Sequence, residues 1–329
     1  MSRIFTQFVK WSINISNGKY FFNFKIENIG KMIYNYSKCN LRRKYMLGII
    51  DIGGGLRGVY TSGIYDYLMD NGVDIEYCLG VSSGSANLIT YVAGQRGRTK
   101  RFYTEYSFEK KYLGAGCYIK KGMLINLDYI YSEITNSTGK DPLDYEAIKN
   151  SSKQFHCVTT LAESAQPRYF TKDDLKQDDY TLLKACCAMP VACRKPINFK
   201  GEKFFDGGVS DPLPFNKAFA DGCDKLIICI TLPIDYRKTP MPEFLVKLLL
   251  AGYPKVRDNI LTMHNMYNNG IEAITELERQ GKALVIYPRE CFDVNTISGE
   301  KENMEKLYQL GYEDGKKIEK FVNEYKAVK

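Results

Sequence analysis

Histidine and tryptophan are scarce in this chain of 329 residues, which has two histidines and one tryptophan. A Ser-His-Asp triad needs a histidine in a loop beside the nucleophile. His156 lies inside an apolar strand pattern and His264 at a predicted helix start, so we interpret both as structural. Any nucleophilic serine in this chain is therefore expected to use a carboxylate as its base.

Long apolar runs and Cys-x-x-Cys pairs are absent from the sequence. No apolar stretch approaches the ~20 residues that span a bilayer, so we expect a cytoplasmic protein that touches a membrane at most from one side, as a peripheral protein. The ten cysteines lie mostly within apolar runs. This pattern is typical of reduced, buried thiols, and it does not favour a disulfide framework or a zinc site.

Basic charge is concentrated at the start of the chain. Nine of the 46 basic residues, but only Glu27 of the 38 acidic residues, lie within residues 1–45. The charges of residues 46–329 cancel, which gives no support for a nucleic-acid partner. Residues 1–45 have neither a seven-residue apolar core nor a small-residue cleavage site, so we do not interpret them as a secretory signal.

Two domains of unequal character follow from this distribution. We predict that residues 1–45 are a basic N-terminal extension that is disordered or not part of the native protein. The alternative is an arm that binds a membrane or a partner. Residues 46–329 are predicted to form one catalytic domain.

From residue 46 onward, short β-type runs alternate with helical patterns, which is typical of a mostly parallel sheet covered by helices. Strands are predicted at residues 47–52, 77–81, 155–161, 226–231 and 283–287. Helices are predicted at residues 59–71, 85–93, 181–188, 265–280 and 303–325. Between about residues 107 and 144 the pattern is irregular, as in a substrate-covering lid or an ordinary surface excursion.

A Gly-x-Ser-x-Gly sequence lies at residues 80–84, after an apolar strand and before a helix. This is the context of a nucleophile elbow, in which the strand reverses so sharply that the central serine is strained and exposed. Small residues two places on either side, here Gly80 and Gly84, avoid a clash. The pattern predicts Ser82 as a nucleophile, whereas the neighbours Ser83 and Ser85 are not at the centre of the motif.

A glycine-rich turn follows the first predicted strand. Its backbone N–H groups are candidates for an oxyanion hole, and the residues concerned are Gly53, Gly54, Gly55, Leu56, Arg57 and Gly58. The same glycines match the dinucleotide-binding fingerprint, which expects an acid about 20 residues later at the end of the second strand. Asp74 and Glu76 precede that strand and Ser82 follows it, so the oxyanion hole is the favoured interpretation.

The sequence Phe-Phe-Asp-Gly-Gly at residues 204–208 places an acid where an apolar strand ends in a glycine turn. Asp206 alone would be typical of an Asx turn. Because both histidines are interpreted as structural, Asp206 is also the most economical base for Ser82. The pair predicts nucleophilic catalysis by serine with an aspartate as proton acceptor.

These three motifs, in this order, closely resemble the patatin-like phospholipase family, as found in bacteria. The resemblance spans about residues 47–213, and residues 307–312 also look like the ending of bacterial members. It implies a three-layer α/β/α fold with a central mostly parallel sheet, a Ser82–Asp206 dyad, an oxyanion hole at Gly53–Gly58, a lipid or other acyl-ester substrate, and neither metal nor cofactor. Cys186 and Cys187 depart from the family pattern, and so does Val81.

Three further segments have two interpretations each. Arg57 either binds an anionic head group or pairs with a carboxylate, and pairing is favoured. A basic cluster, Arg96, Arg98, Lys100 and Arg101, either meets lipid phosphates or forms a solvated helix face, which is favoured. The apolar run at residues 244–250 either lies on a membrane surface or is buried as a core or lid helix, which is favoured.

Two other functional classes remain open at this point. An acyltransferase or a non-lipid esterase would use the same dyad and the same acyl-enzyme. A catalytically silent lipid-binding or interaction protein would keep the fold without the chemistry. The intact Ser82, Asp206 and glycine turns favour the acyl hydrolase, because a binding protein has no need of a strained serine.

Overall fold

The computed structural model describes residues 9–16, 19–26 and 46–327, and the chain divides into two units, Met1–Tyr45 and Met46–Lys329. In the first unit, strands β1 (Val9–Ser16) and β2 (Lys19–Ile26) form an antiparallel pair. The other residues of the predicted N-terminal extension lie outside the described residues, so its status stays a prediction.

The second unit contains a mixed sheet. Its strands are β3 (Leu47–Asp51), β4 (Tyr77–Val81), β5 (Gln154–Leu161), β6 (Pro167–Thr171), β7 (Ile197–Phe199), β8 (Glu202–Asp206), β9 (Lys225–Cys229) and β10 (Ala283–Ile286). The strand order is β10-β9-β3-β4-β5-β8-β7, and β6 also pairs with β5. The run from β10 to β5 is parallel, whereas β6, β7 and β8 pair antiparallel. The five predicted strands are all present, each within two residues of its predicted ends.

Helices connect and cover these strands. They are α1 (Val59–Asp70), α2 (Ser83–Val92), α3 (Arg98–Thr104), α4 (Ala115–Lys121), α5 (Tyr145–Asn150), α6 (Thr181–Cys186), α7 (Phe215–Ala220), α8 (Glu243–Leu249), α9 (Pro254–Arg279) and α10 (Lys301–Ala327). Helix α9 begins eleven residues before its predicted start, with Pro254 in its first turn. Within the described ranges, every helix is too short or too polar to cross a lipid bilayer.

The sheet is buried on both faces, because neighbouring residues of one strand belong to different clusters of the hydrophobic core. In β3, Ile49 packs with residues of α1, α2 and α10, whereas Ile50 packs with residues of α7 and α9. Alternate side chains of a strand point to opposite faces, so both faces of the sheet are covered by helices. The architecture is therefore three-layered, α/β/α, with a central mostly parallel sheet, as predicted.

Helix α10 packs closely along α1. A Cβ atom added at Gly311 would lie 1.9 Å from the carbonyl oxygen of Tyr60, and one added at Gly63 would lie 2.1 Å from that of Tyr308. Buried hydrogen bonds join the two helices, with Tyr60 donating to Asp314 at 2.7 Å. Since α1 follows directly on the glycine turn of residues 53–58, this contact also fixes the position of that turn.

Candidate active site

Ser82 lies where the chain turns abruptly from β4 into α2. Its backbone has φ 54° and ψ −135°, a conformation that residues with a side chain rarely adopt. Val81 before it is buried, but Ser82 itself is partly exposed and lines a cavity. The turn therefore presents the hydroxyl group at the cavity surface.

The two glycines of the elbow are required by close approaches of the backbone. A Cβ atom at Gly80 would lie 2.4 Å from Cα of Ser85, and one at Gly84 would lie 2.3 Å from the carbonyl oxygen of Asp51. Neither neighbour is a flexible side-chain end that could move away. The spacing of the Gly-x-Ser-x-Gly motif thus follows from the packing of α2 against the ends of β3 and β4.

Asp206 is brought near Ser82 by the register of the sheet. Val81 of β4 pairs with Val158 of β5, and the next residue of β5, Thr159, pairs with Asp206 of β8. Ser82 follows Val81 directly. The two residues, 124 positions apart in the sequence, therefore line the same cavity.

The carboxyl group of Asp206 is fully buried. Its Oδ1 accepts a hydrogen bond from the N–H of Gly208 at 2.8 Å. Its Oδ2 is buried and has no partner of ordinary hydrogen-bond geometry among the described residues. Burial raises the pKa of Asp206 to about 6, against the lowering effects of the nearby Ser82 hydroxyl, the Gly208 N–H and the charge of Lys238. The group is thus a stronger base than an exposed aspartate.

The glycine turn after β3 adopts a backbone that needs glycine. Gly53, Gly54 and Gly55 have φ values of 68°, 143° and 63°. A Cβ atom at Gly53 would lie 3.0 Å from the backbone nitrogen of Ser83. The turn therefore lies directly against the first residues of α2, beside Ser82.

Several backbone N–H groups of this turn are already engaged within the protein. They are Gly53, which donates to Asp51 Oδ1 at 2.9 Å, Gly54, which donates to Ser83 Oγ at 3.1 Å, and Leu56, which donates to the Thr296 carbonyl at 3.0 Å. The N–H of Gly55, which lines the cavity, has no partner in the described part of the chain. The N–H of Ser83, at the first position of α2, has no intrahelical partner either. These two donors are the available ones at the predicted oxyanion hole.

Asp51, at the end of β3, was not recognised from the sequence as a site residue. It is fully buried, and burial raises its pKa to about 6. Its oxygens accept from the Gly53 N–H and from the Tyr65 hydroxyl, the latter at 3.1 Å. Asp51 thus fixes the start of the glycine turn through its hydrogen bond with the Gly53 N–H. Its place between an apolar strand and a glycine-rich turn is the sequence signal that could have identified it.

Neither histidine lines the cavity that contains Ser82. His156 stacks on Tyr77 with ring centroids 4.6 Å apart and lies 3.9 Å from Asp221. His264 lies within α9, not at a helix start as predicted. Among the described residues, no group of three or more His, Cys, Asp or Glu side chains could hold a metal ion.

The cavity has a volume of about 560 Å³ and is lined by Ser82, Asp206, the glycine turn and many apolar side chains. The segment between about residues 107 and 144, with its irregular sequence pattern, supplies lining residues that include Tyr112, Ile130 and Tyr131. Helix α9 supplies Ile260, Met263 and Tyr267. The irregular segment is therefore part of the cavity wall, as in the lid interpretation.

The favoured interpretation of Arg57, in which it pairs with a carboxylate, is wrong. No carboxylate of the described residues pairs with this side chain, and its buried Nε has no hydrogen-bond partner there. Ion pairing cannot be predicted from the local sequence, because it depends on which acids the fold brings near. Arg57 instead lines the cavity beside Ser82.

The basic cluster that precedes and enters α3 is neither a free lipid-binding patch nor a simple solvated face. Its members are paired with acids: Arg96 with Asp70 at 2.9 Å, Lys100 with Glu305 at 2.9 Å, Arg98 with Asp141 at 3.7 Å and Arg101 with Asp141 at 2.7 Å. Arg98 also lines the cavity. Its charge is nevertheless compensated by Asp141, so it is not an unpaired cation.

Comparison with known families gives two matches along the chain. The family model for patatin-like phospholipases matches residues 53–219, which is about half of the chain. A second model, described as a domain of unknown function, DUF6363, matches residues 253–327. The first match contains Ser82, Asp206 and the glycine turn.

Two individual proteins are also similar to this chain, both at low sequence identity. The uncharacterized protein YjjU of Escherichia coli (strain K12) is 28% identical over 196 residues, which cover 59% of this chain and 54% of that protein. The chain thus spans about half the length of this curated relative. The crystal structure of VipD from Legionella pneumophila aligns with 95% of this chain and 70% of its own, at 13% identity and a TM-score of 0.42.

Proposed function

Because the chain belongs to the patatin-like phospholipase family, we propose that it is a lipid acyl hydrolase that uses Ser82 as nucleophile and Asp206 as base. The proposal depends on one observation. A serine in a strained strand-to-helix turn lines the same cavity as a fully buried carboxylate whose Oδ2 lacks a partner among the described residues. That oxygen is available for the proton of the Ser82 hydroxyl group.

In the first half-reaction, Ser82 Oγ attacks the ester carbonyl carbon while Asp206 takes its proton. The carbonyl oxygen gains negative charge, and the N–H groups of Gly55 and Ser83 are the donors proposed to stabilise it. Donors of this kind are worth about 3–4 kcal/mol of barrier height. The positive end of the α2 dipole favours the same charge.

The tetrahedral intermediate collapses when the ester C–O bond breaks and the alcohol or lysolipid leaves with the proton from Asp206. An acyl-enzyme on Ser82 remains. Water then attacks the acyl carbon, Asp206 takes a proton from the water, and Ser82 Oγ leaves with that proton. The fatty acid is released and both side chains return to their starting states.

Apolar side chains of the cavity are suited to hold an acyl chain. Tyr112, Ile130, Ile260 and Met263 line it, and they come from segments far apart in the sequence. Apolar pockets with a few convergent polar groups are typical of small-molecule sites. This lining supports a lipid ester over a short polar ester as substrate.

Exposed apolar side chains on the chain support contact with a lipid surface. The exposed large apolar residues of the described chain are Phe108, Leu113, Ile119, Tyr236, Phe244, Leu248 and Ile297. Of these residues, Tyr236 and Ile297 line the cavity, and Phe108, Leu113 and Phe244 lie within three residues of a lining residue in the sequence. We call these residues the apolar rim, and we propose that it contacts the surface of a membrane or lipid aggregate.

The direct test of the dyad is labelling with a fluorophosphonate probe, followed by peptide mapping and an assay of fatty-acid release from mixed phospholipid micelles. We expect the probe on Ser82 in the wild-type protein. Ser82→Ala should abolish labelling and release, and Asp206→Asn should reduce both by at least about a thousandfold, since it removes the base.

Two matched variants serve as controls. Ser85→Ala removes a nearby hydroxyl that does not line the cavity, and Asp211→Asn neutralises a carboxylate five residues after Asp206 that also does not line it. Both should keep labelling and release within about threefold of wild type. Full activity in folded Ser82→Ala or Asp206→Asn would refute the dyad.

A further inference from the structure

Two cationic side chains line the cavity near Ser82 without a carboxylate of their own. They are Arg57, at the end of the glycine turn, and Lys238, in the loop before α8. The acids that line the cavity are Asp206 and Asp141, and Asp141 is engaged by Arg98 and Arg101. Asp206 is ionised at neutral pH and offsets one of the two cations, so this region keeps a net positive charge.

The side chain of Arg57 lies against the glycine turn and lines the cavity that contains Ser82. Its Nε is 3.6 Å from the position that a Cβ atom of Gly54 would occupy. That nitrogen is buried without a partner in the described part of the protein. Burial lowers the pKa of the guanidinium group but leaves it charged. A buried, charged donor without an acceptor is costly, and a bound anion would satisfy it.

Lys238 is fixed in position by α9. Its backbone N–H donates to Asn268 Oδ1 at 2.9 Å, and Asn268 Nδ2 donates to its carbonyl oxygen at 3.0 Å. Its Nζ lies 4.1 Å above the centre of the Tyr267 ring. Burial and the nearby Arg57 lower the pKa of Lys238 to about 8, against the opposite effect of Asp206. The two cations therefore repel each other.

Tyr267 adds a neutral donor to this pair. Its side chain is 1% exposed, and it lines the cavity from α9. Its hydroxyl is buried and has no hydrogen-bond partner among the residues that the structure describes. Buried tyrosine hydroxyl groups normally have a partner, so this one is a candidate donor to a ligand in the cavity.

We propose that Arg57, Lys238 and Tyr267 bind a phosphomonoester dianion, and that the substrate is an acylated glycerol phosphate with a terminal phosphate. This assignment rests on the proposed acyl hydrolase function. A guanidinium group, an ammonium group and a hydroxyl group match the oxygens of a phosphate. A phosphomonoester is close to doubly negative at neutral pH, so it offers a negatively charged oxygen to each of the two cations.

Other lipid head groups fit this site less well. A neutral acylglycerol would leave the net positive charge of this region without a counter-charge. A zwitterionic phosphodiester brings a single negative charge, together with a quaternary ammonium group that Arg57 and Lys238 repel. The site thus selects by charge among lipids that carry the same acyl chains.

The test compares phosphatidate, phosphatidylcholine and diacylglycerol with identical acyl chains in detergent micelles at pH 7.5. We expect kcat/KM to be highest for phosphatidate. Lys238→Met and Tyr267→Phe should each reduce the ratio of kcat/KM for phosphatidate to that for diacylglycerol, by about tenfold for Lys238→Met. Lys255→Met, which removes an exposed lysine of α9 outside the cavity, should leave the ratio unchanged.

A second experiment distinguishes a site for a lipid head group from a site for free phosphate. Glycerol 3-phosphate and inorganic phosphate are tested as inhibitors of p-nitrophenyl butyrate hydrolysis. Inhibition by glycerol 3-phosphate that weakens about tenfold in Lys238→Met supports the head-group site. Inhibition by inorganic phosphate alone, with an unchanged lipid ratio, would overturn the substrate assignment.

The outcomes also separate this proposal from the proposed function. If wild type hydrolyses p-nitrophenyl butyrate through Ser82 but shows no preference for phosphatidate, the anion site is refuted and the hydrolase stands. If Ser82 is neither labelled nor active on any ester, the hydrolase itself is refuted. A preference for phosphatidate that survives in both Lys238→Met and Tyr267→Phe also refutes the site.

Discussion

Burial of Asp206 affects both the ionisation of its carboxyl group and the stability of the folded chain. An exposed aspartate ionises near pH 3.8, whereas Asp206 has a pKa of about 6. Between these values the folded state keeps a proton that the unfolded state has lost. The group therefore stabilises the fold less as pH rises from about 4 to 6, and at neutral pH it costs on the order of 2–3 kcal/mol.

The first prediction concerns the pH dependence of catalysis. Only ionised Asp206 can accept the Ser82 proton, so kcat/KM for p-nitrophenyl butyrate should rise with pH through about 6 and then level off. The measurement is a pH profile between 4.5 and 7.5 under conditions where the protein stays folded. Undiminished activity at pH 4.5 would contradict a buried base.

The second prediction is that Asp206→Asn, although inactive, is more stable than wild type at pH 7.5. The substitution removes a buried charge of which one oxygen lacks a partner, so the free energy of unfolding should rise by about 1–2 kcal/mol. Urea unfolding measures it. Asp235→Asn, at an exposed carboxylate, should change stability by less than about 0.5 kcal/mol. A destabilised Asp206→Asn would speak against this account of burial.

Single residues differ in how far the sequence predicts their place. Ser82 and Asp206 each lie in a short motif whose glycines report the local backbone, so their roles could be proposed from the sequence. Lys238 and Tyr267 lie in no motif, and only the packing of their segments brings them to the cavity. That Arg57 has no acidic partner among the described residues likewise depends on tertiary structure.

At the scale of elements, α8 has two apolar faces with different environments. Val246 is buried, whereas Phe244 and Leu248, one turn apart, are 76% and 74% exposed. The favoured interpretation of residues 244–250 as a buried core or lid helix is therefore only half right. The outward face belongs to the apolar rim, which is suited to a lipid surface.

The third prediction follows from this exposed face. Leu248→Glu should reduce the fraction of protein that floats with anionic phospholipid vesicles by at least about threefold, because it places a charge in the apolar rim. Gln280→Glu adds the same charge at an exposed site at the end of α9, outside the cavity lining, and should leave flotation unchanged. Equal flotation of both variants would exclude α8 from the contact.

The fourth prediction concerns the packing of α10 on α1. Gly311→Ala places a methyl group 1.9 Å from the carbonyl oxygen of Tyr60, so the helices must separate. We expect a loss of about 2–3 kcal/mol in the free energy of unfolding. Gly252→Ala, where no atom lies within 4 Å, is the matched control and should be close to neutral. Thermal unfolding of both variants measures this loss of stability.

Strands were easier to predict than the elements around them. The five parallel strands are short apolar runs buried on both faces, and this pattern is strong in a sequence. Strand β6 is only partly buried and begins at a proline, and β7 has three residues, so neither gives a clear pattern. The first half of α9 is rich in polar residues, and for this reason its start was missed.

For the whole molecule, the segment that matches a domain of unknown function is an integral part of the second unit. Strand β10 extends the parallel sheet beside β9, α9 covers one face, and α10 packs along α1. The Thr296 carbonyl oxygen accepts the Leu56 N–H of the glycine turn. Residues 253–327 therefore complete the cavity and fix the turn that the patatin-like part supplies.

The fifth prediction tests the proposed domain boundary. A shortened protein that begins at Met46 should fold and keep Ser82 labelling within about twofold of the full chain. Met46 is itself buried and its carbonyl oxygen accepts from the Asp224 N–H at 3.0 Å, so residue 46 is already part of the folded body. Loss of cooperative unfolding in the shortened protein would place the boundary elsewhere.

The glycine turn is held in place by residues that come much later in the sequence. This order has a consequence for the protein during its synthesis. Chains are synthesised from the N-terminus, and domains generally fold as units. Ser82 leaves the ribosome well before Thr296 and α10, which fix the turn beside it. A nascent chain would therefore carry the proposed nucleophile through most of translation without the finished turn beside it. We expect no activity of the proposed dyad until synthesis has passed α10.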